Sequence, residues 1–238
     1  MALPRMDVRP ASEFAAKYGE SEFYTTTLFN SREEWLAGRK GHLGASAAFM
    51  VLDTELRDKL FREMRGEIEH EDLSENELVQ RGVHAEEHVR ALIAVENPDW
   101  DFYDGGNLLF VSKRKPFMSA TLDCIAVHRD TGELADIELK ECPWSSKWKG
   151  EFAPDSYFAQ VMHQHYVTGI SYCALHPRIY LRHEGQFTTS FERSYEWDMR
   201  DDDIQAQVKQ LVAEEEAFWS DFKRGGKLTP KLALPSIF

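Results

Sequence analysis

The sequence predicts a mixed α/β (α+β) fold, a central mixed β-sheet flanked by helices. Three observations lead there. Apolar residues recur at helical spacing across 82–95, 155–168 and from about 201 onward. Short strand-like runs, most of them carrying β-branched or aromatic residues, stand at 108–112, 120–127 and 134–140, then at 173–175, 179–182 and 187–191. The two kinds of segment are interspersed, as in layered domains that bury a sheet beneath helices.

The elements follow in order. Ser31-Arg32-Glu33-Glu34 fits a capping box, Ser at the cap and Glu three residues later, and opens a short helix through Trp35. Helices are expected at 45–50 and 53–64, and a longer amphipathic one at 82–95. Runs 120–127 and 134–140 flank the turn-like Arg129-Asp130-Thr131-Gly132 and read as a hairpin. Gly169 ends the helix at 155–168. The last helix starts near Asp201–Asp203 and carries Ile204, Val208, Leu211, Val212, Phe218, Trp219 and Phe222, with Gly225-Gly226 as its stop. With no internal repeat, low-complexity run or Pro/Gly/Ser linker, residues 1–238 are expected to form one domain, ending in a helix at 201–224 and a tail at 225–238.

Composition narrows the function classes. At 238 residues and 42% hydrophobic, the chain can bury a full core. No apolar run approaches the roughly 20 residues of a membrane span. MALPRMDVRP has no apolar region followed by a small-residue cleavage site, so a cytoplasmic location is expected. Cys124, Cys142 and Cys173 have no CxxC spacing, which argues for a reducing compartment and against a thiolate metal site. A net charge of −13, from 41 acids and 28 bases, opposes a nonspecific nucleic-acid coat. It leaves room for a local basic groove, and basic clusters stand at Arg39-Lys40, Lys113-Arg114-Lys115, Lys147 with Lys149, and Lys223-Arg224 with Lys227.

The hairpin TLDCIAVHRDTGELADIELK carries charge where uncharged side chains are preferred. Side chains alternate along a strand, so Asp136, Glu138 and Lys140 share one face while Ile137 and Leu139 share the other. A four-residue loop at 129–132 sets Asp123 opposite Glu138; a two-residue Thr131-Gly132 turn sets Asp123 opposite Lys140. Either register gathers Asp123, Glu138 and Lys140 within about 5–8 Å at Cβ. Opposed acids destabilise a sheet unless water, the lysine or a cation offsets them. Asp and Glu supply hard oxygen ligands suited to magnesium or manganese, and a lysine beside them can hold or deprotonate a water nucleophile. An exposed face with an ordinary Glu–Lys contact is the plain alternative.

In RGVHAEEHVRALIAV, Glu86 lies at the edge of the apolar stripe formed by Ala85, Val89, Leu92 and Ile93, whereas Glu87 points away from it. A carboxylate at that edge needs a partner, which a shared metal, a buried Arg or a backbone donor would supply. The same helix holds His84-Ala85-Glu86-Glu87-His88, the H-x-x-E-H pattern of inverted zinc proteases. Both histidines turn away from the apolar face, contrary to what a cleft zinc pair requires.

Together, Glu86, Asp123 and Glu138-Leu139-Lys140 resemble the PD-(D/E)XK nuclease core. More narrowly the chain resembles the phage lambda exonuclease and YqaJ-type viral recombinase family, over about residues 35–182. Trp35-Leu36-Ala37-Gly38-Arg39-Lys40-Gly41 with Ala45-Ser46 looks like its W-x₃-R-x-G-x₃-A-S segment. Gly82 to Glu86 looks like its G-x₃-E helix, and Glu138-Leu139-Lys140 with Cys142-Pro143 like its E-L-K-C-P segment. Tyr157-Phe158-Ala159-Gln160 is similar to its Y-x-x-Q helix. Two departures stand out: Leu122-Asp123-Cys124 replaces the usual Pro-Asp-Gly, and Glu141 is inserted after the lysine.

The resemblance implies a restriction-endonuclease-like core and a magnesium-dependent exonuclease, with manganese as the substitute cofactor. It would digest one strand of linear duplex DNA from the 5′ end, leaving 3′ overhangs for phage-type recombination. Metals would be held by Glu86, Asp123, Glu138 and the carbonyl of Leu139. Lys140 would position water, with Gln160 and Tyr157 supporting the site; these two and Gln164 share one helical face. Arg39 and Ser46, with Thr121 and Lys147, would grip the 5′-phosphate. A homotrimeric ring, a single-strand annealing partner and a bacterial host cell carrying phage or prophage are further implications. An endonuclease of the same fold, the zinc protease and a binding module without catalysis are the competing expectations.

Overall fold

The computed structural model describes residues 8–69, 77–183, 186–225 and 227–229. Helix α1 (Ala11–Tyr18) leads to strand β1 (Tyr24–Leu28), helix α2 (Arg32–Arg39) and a short strand β2 (Leu43–Gly44). Helices α3 (Ala48–Leu52), α4 (Thr54–Met64) and α5 (Glu77–Glu96) follow. Strands β3 (Trp100–Asp104), β4 (Leu108–Ser112), β5 (Met118–Ala120), β6 (Cys124–His128) and β7 (Leu134–Pro143) come next. The chain continues through α6 (Asp155–Thr168), β8 (Tyr172–His183), β9 (Gln186–Glu192), β10 (Tyr195–Asp198) and α7 (Asp202–Arg224).

The expected mixed α/β character is what the structure has, with the strands divided between two sheets. The larger runs β10-β8-β7-β6-β3, with β9 also on β8; the smaller runs β1-β4-β5-β2. The β6–β7 hairpin is antiparallel and pairs Cys124 with Ile137 and Val127 with Leu134, the register of a four-residue loop. Gly132 takes φ +72° in that loop, a left-handed conformation that costs glycine nothing. β7 and β8 are parallel, and the crossover between them contains α6.

Leu122, Ile125, Phe110 and Met118 pack with Met162 of α6 and Leu211 of α7 in the largest core cluster. The other face of β6 and β7 presents Cys124, Ala126, Ile137 and Leu139 to Ile93 of α5. Periodicity two on β7 thus divides the strand. Odd-numbered side chains lie under α5, and Asp136 and Glu138, although charged, are fully buried on the opposite face. Ser31 caps α2 as expected, its Oγ accepting from Glu34 N–H at 3.2 Å, whereas Glu34 reaches back to Asn30 N–H at 3.1 Å and not to Ser31. Asp53 Oδ1 also caps α4, accepting from the N–H groups of Glu55 and Leu56 at 2.9 Å each.

Several expectations need correction. The run 120–127 is two strands: the chain leaves the small sheet after Ala120 and joins the large one at Cys124, with 121–123 as the crossing. Leu122 is fully buried in that crossing, so its hydrophobicity reads as strand. Conversely, 173–175 and 179–182 are one strand, β8. Pro177 lies where β8 passes from β10 (last pair Leu175–Tyr195) to β9 (first pair Arg178–Glu192), so that side has no ladder to lose there. The short helix at Ser31 runs on to Arg39, and 45–50 is a 3₁₀ turn followed by α3. Helix α1 and strands β1, β2, β3 and β10 were not expected. The tail beyond Thr229, and Gly226 of the stop signal, lie outside the described residues.

Candidate active site

The site forms where β6 stops pairing with β7. Beyond Ile137 the β6 side of β7 has no strand partner, and Asp123 turns into the gap: its Oδ2 accepts from the N–H of Leu139 at 2.9 Å. In an extended strand a residue's N–H and C=O project to the same side, so the Leu139 carbonyl faces the same gap. The Asp123 carbonyl accepts from Arg90 of α5 at 3.1 Å and from the N–H of Gly105 at 3.3 Å. A Cβ on Gly105 would come within 1.5 Å of the Leu122 carbonyl, so only glycine fits that approach.

Glu138 is fully buried and surrounded by donors. Lys140 pairs with its Oε1, to which Gln160 also donates at 2.6 Å; Gln164 donates to Oε2 at 2.6 Å. Each hydrogen bond to a charged group contributes roughly 1.5–3 kcal/mol. Gln160 and Gln164 are one turn apart on α6, and both reach the same carboxylate. Tyr157, one position earlier on that face, stacks on Trp148 with centroids 5.5 Å apart, and its ring lies 5.8 Å from the Lys140 ammonium. Glu86 approaches from α5 and pairs with Arg90 at 3.6 Å.

Electrostatics couples these groups. Burial, with the neighbouring Glu138 and Glu86, holds the Asp123 carboxyl well above the usual range, and Lys140 only partly opposes this. Burial likewise raises Glu86, against the pull of Arg90 and Lys140. Burial disfavours the Lys140 ammonium, but Glu138 and Asp123 outweigh it and raise its pKa. Asp136, deeper on the same face, has neither carboxylate oxygen hydrogen-bonded and is raised by burial and by Glu138 and Asp123.

Among the described residues, no three His, Cys, Asp or Glu side chains close on a common point as a ready-made metal cage. The donor set nevertheless fits a hard divalent cation. Glu86, Asp123 and Glu138 lie near enough to repel one another, beside the Leu139 carbonyl, with charge that Lys140 and Arg90 only partly offset. Glu87 is exposed, so the two adjacent glutamates differ as the helical wheel predicts. The side chain of His84 lies outside the described residues, and His88 is exposed.

The phosphate candidates divide. The Arg39 guanidinium lies 4.4 Å from the Trp35 ring centroid, and Trp35 Nε1 donates to Thr121 Oγ1 at 3.1 Å, so Arg39 and Thr121 meet across one indole. Among the described residues Arg39 has no carboxylate partner; burial, with Arg32 nearby, lowers its pKa. Ser46 is exposed in the 3₁₀ turn Ala45–Ala47. Lys147 stands in the turn Ser146–Trp148 and shares with Phe49 of α3 a cleft of about 320 Å³. Lys113, Lys115 and Arg224, by contrast, are tied to Glu20, Glu216 and Asp221.

The inserted Glu141 lies on the odd-numbered face of β7, nearly buried, and Arg81 of α5 pairs with it. Sequence reasoning missed that partner, because no spacing rule links residues 60 positions apart. It also missed His163, whose Nδ1 meets Glu215 of α7 at 2.7 Å and whose Nε2 meets the Ser119 carbonyl at 3.1 Å.

A family model, the YqaJ-like viral recombinase domain, matches residues 34–171. The chain belongs to that family. The match spans α2 through α6 and so takes in Arg39, Glu86, Asp123, Glu138, Lys140 and Gln160. A solved alkaline exonuclease from Laribacter hongkongensis, LHK-Exo, is similar at 22% identity and TM-score 0.58, covering 81% of this chain and 93% of that one. LHK-Exo in complex with dAMP is similar at 23% identity and TM-score 0.57, covering 81% and 95%. At these identities the likeness is one of fold. No curated protein sequence matches the chain.

Proposed function

We propose that the chain is a magnesium-dependent exonuclease that hydrolyses one strand of linear duplex DNA from its 5′ end. The observation that carries this reading is the convergence of Asp123, Glu138, Lys140 and Glu86 on the gap where β6 leaves β7. Membership of the viral recombinase family and a fold shared with a solved alkaline exonuclease support it. Glu86, Asp123, Glu138 and the Leu139 carbonyl would hold magnesium, or manganese in its place. When bound, the divalent cation neutralises charge on the transferring phosphate and on the attacking and leaving oxygens.

The chain's own groups do the rest. Lys140, fixed between Glu138 and the Tyr157 ring, is placed to hold a water by its ammonium and orient it toward phosphorus. Gln160 and Gln164 keep Glu138 in one rotamer. Arg39, half-buried and without an acid partner, suits bidentate contact with a terminal 5′-phosphate, with Thr121, Ser46 and Lys147 around it. Exposed Trp144, beside Lys149, suits stacking on a terminal base. The product would be a duplex with a 3′ overhang, handed to a single-strand annealing protein in phage-type recombination in the bacterial cytoplasm. A homotrimeric ring around the duplex completes the reading.

The test compares 5′-phosphorylated with 5′-hydroxyl linear duplexes and closed circles, with and without magnesium. Release of nucleotides from the phosphorylated linear duplex alone, only with magnesium, is expected. Cleavage of circles would make the protein an endonuclease. No release from any substrate, with Lys140→Ala indistinguishable from wild type, would sink the reading.

A further inference from the structure

We propose that the groove between the first turn of α6 and β10 seats the part of segment 227–238 that lies beyond Thr229, from a second copy of the chain. This rests on the oligomeric reading above but not on the nuclease chemistry. The groove encloses about 600 Å³. Phe152, Phe158, Tyr195 and Trp197 line it, and Glu151, Asp155 and Glu196 add three acids to the lining with no base. Its aromatic wall is preassembled: Phe158 lies 5.1 Å from Trp197, and Tyr195 stacks on Trp197 at 6.3 Å. Phe152, at the lip, is 84% exposed. An aromatic trough with an exposed ring is the anatomy of a binding surface.

Its charge selects the occupant. Three carboxylates disfavour a phosphodiester within the groove itself. They favour a segment that is apolar, basic and free of acids. One such segment is in the chain: Lys-Leu-Thr-Pro-Lys-Leu-Ala-Leu-Pro-Ser-Ile-Phe, residues 227–238, has two lysines and no acid. The last acid in the sequence is Asp221. Pro230 and Pro235 bias the segment to an extended form, which lowers the entropic cost of docking. Its first residues are held on their own subunit, Leu228 against the cluster that includes Phe218, and Thr229 donating its N–H to Asp221 at 2.7 Å. From that anchor, nine further residues span up to about 30 Å, enough to cross to a neighbour. Groove and segment are different surfaces, so the contact is heterologous, the kind that closes a ring.

The test uses the full chain without DNA. Benzoylphenylalanine in place of Phe238 is photo-crosslinked in a mixture of ¹⁴N and ¹⁵N protein, and crosslinked peptides are mapped. Mixed-isotope crosslinks to 151–158 or 194–197 are expected. Single-isotope crosslinks alone, meaning docking within one subunit, or crosslinks elsewhere, overturn the proposal. In parallel, sedimentation on dilution compares Glu151→Lys/Asp155→Lys, Lys227→Glu/Lys231→Glu and all four together. Each pair should raise the dissociation concentration about 10-fold and the combination should restore it, as complementary charges do. A combination no better than either pair overturns the proposal. A stable oligomer with crosslinks elsewhere leaves the ring reading standing, whereas a monomer at all concentrations removes both.

Discussion

At Glu138 one buried carboxylate takes donors from a lysine and two glutamines, and each donor has a different consequence. Lys140→Ala should lower nucleotide release at least about 100-fold at unchanged magnesium, with the far-ultraviolet spectrum intact. Gln164→Ala leaves Oε2 buried without its donor and should cost about 1–3 kcal/mol of stability, read by denaturant titration. Asp136 carries a pH signature. Its folded pKa is raised, so above the unfolded value of about 3.9 the native state binds more protons and stability falls as pH rises. Asp136→Asn should therefore melt close to wild type near pH 4 and increasingly above it toward pH 8, in chelator; a gap independent of pH would contradict this. At this scale the sequence was informative: strand alternation and the helical wheel singled out Glu86, Asp123, Glu138 and Lys140. The partners of Glu141 and His163 were invisible, because they lie on other elements.

Among elements, α6 bridges the site and the scaffold. Its Gln160 and Gln164 reach β7, and its His163 reaches Glu215 of α7 and the Ser119 carbonyl of β5. Helix α7 is also held to α4 by Arg57 and Glu214, 3.0 Å apart and both buried. Arg57→Met should destabilise by about 3–5 kcal/mol by stranding a buried carboxylate, and Arg57→Met with Glu214→Leu should recover most of it. Equal losses in the single and double variants, by urea unfolding, would show that the pair does not set the stability. Long periodic elements such as α5, α6, α7 and the β6–β7 hairpin were legible. The strands that were missed are short, or alternate polar with apolar residues, as in Trp100-Asp101-Phe102, and gain their stability from neighbours far away in the chain.

For the molecule as a whole, −13 net charge must be reconciled with the DNA substrate proposed above. Acids and bases cancel locally at Lys113, Lys115 and Arg224, leaving Arg39, Lys147 and Lys149 unpaired near the site among the described residues. Three phosphate contacts predict a shallow salt dependence, a slope of about −2 to −3 in log affinity against log salt. Lys147→Ala should reduce it by about 1, measured by fluorescence anisotropy with a catalytically inactive variant. Among the described residues, no helix is long and apolar enough to cross a membrane. The two-sheet division was not legible, because the small sheet is assembled from strands of two to five residues.

The missing glycine of the usual Pro-Asp-Gly segment gains meaning from Gly105. Cys124 fills that position, buried beneath α5, and the tight approach to the aspartate's backbone is made by a glycine on the neighbouring turn. Asp123 is thus held from two sides, by Gly105 before it in the chain and by the Leu139 N–H after it. For protein engineering, this hairpin is not a portable module. A chimera that transfers 121–140 into a relative without 104–106 would bring Asp123 but leave behind the space it stands in.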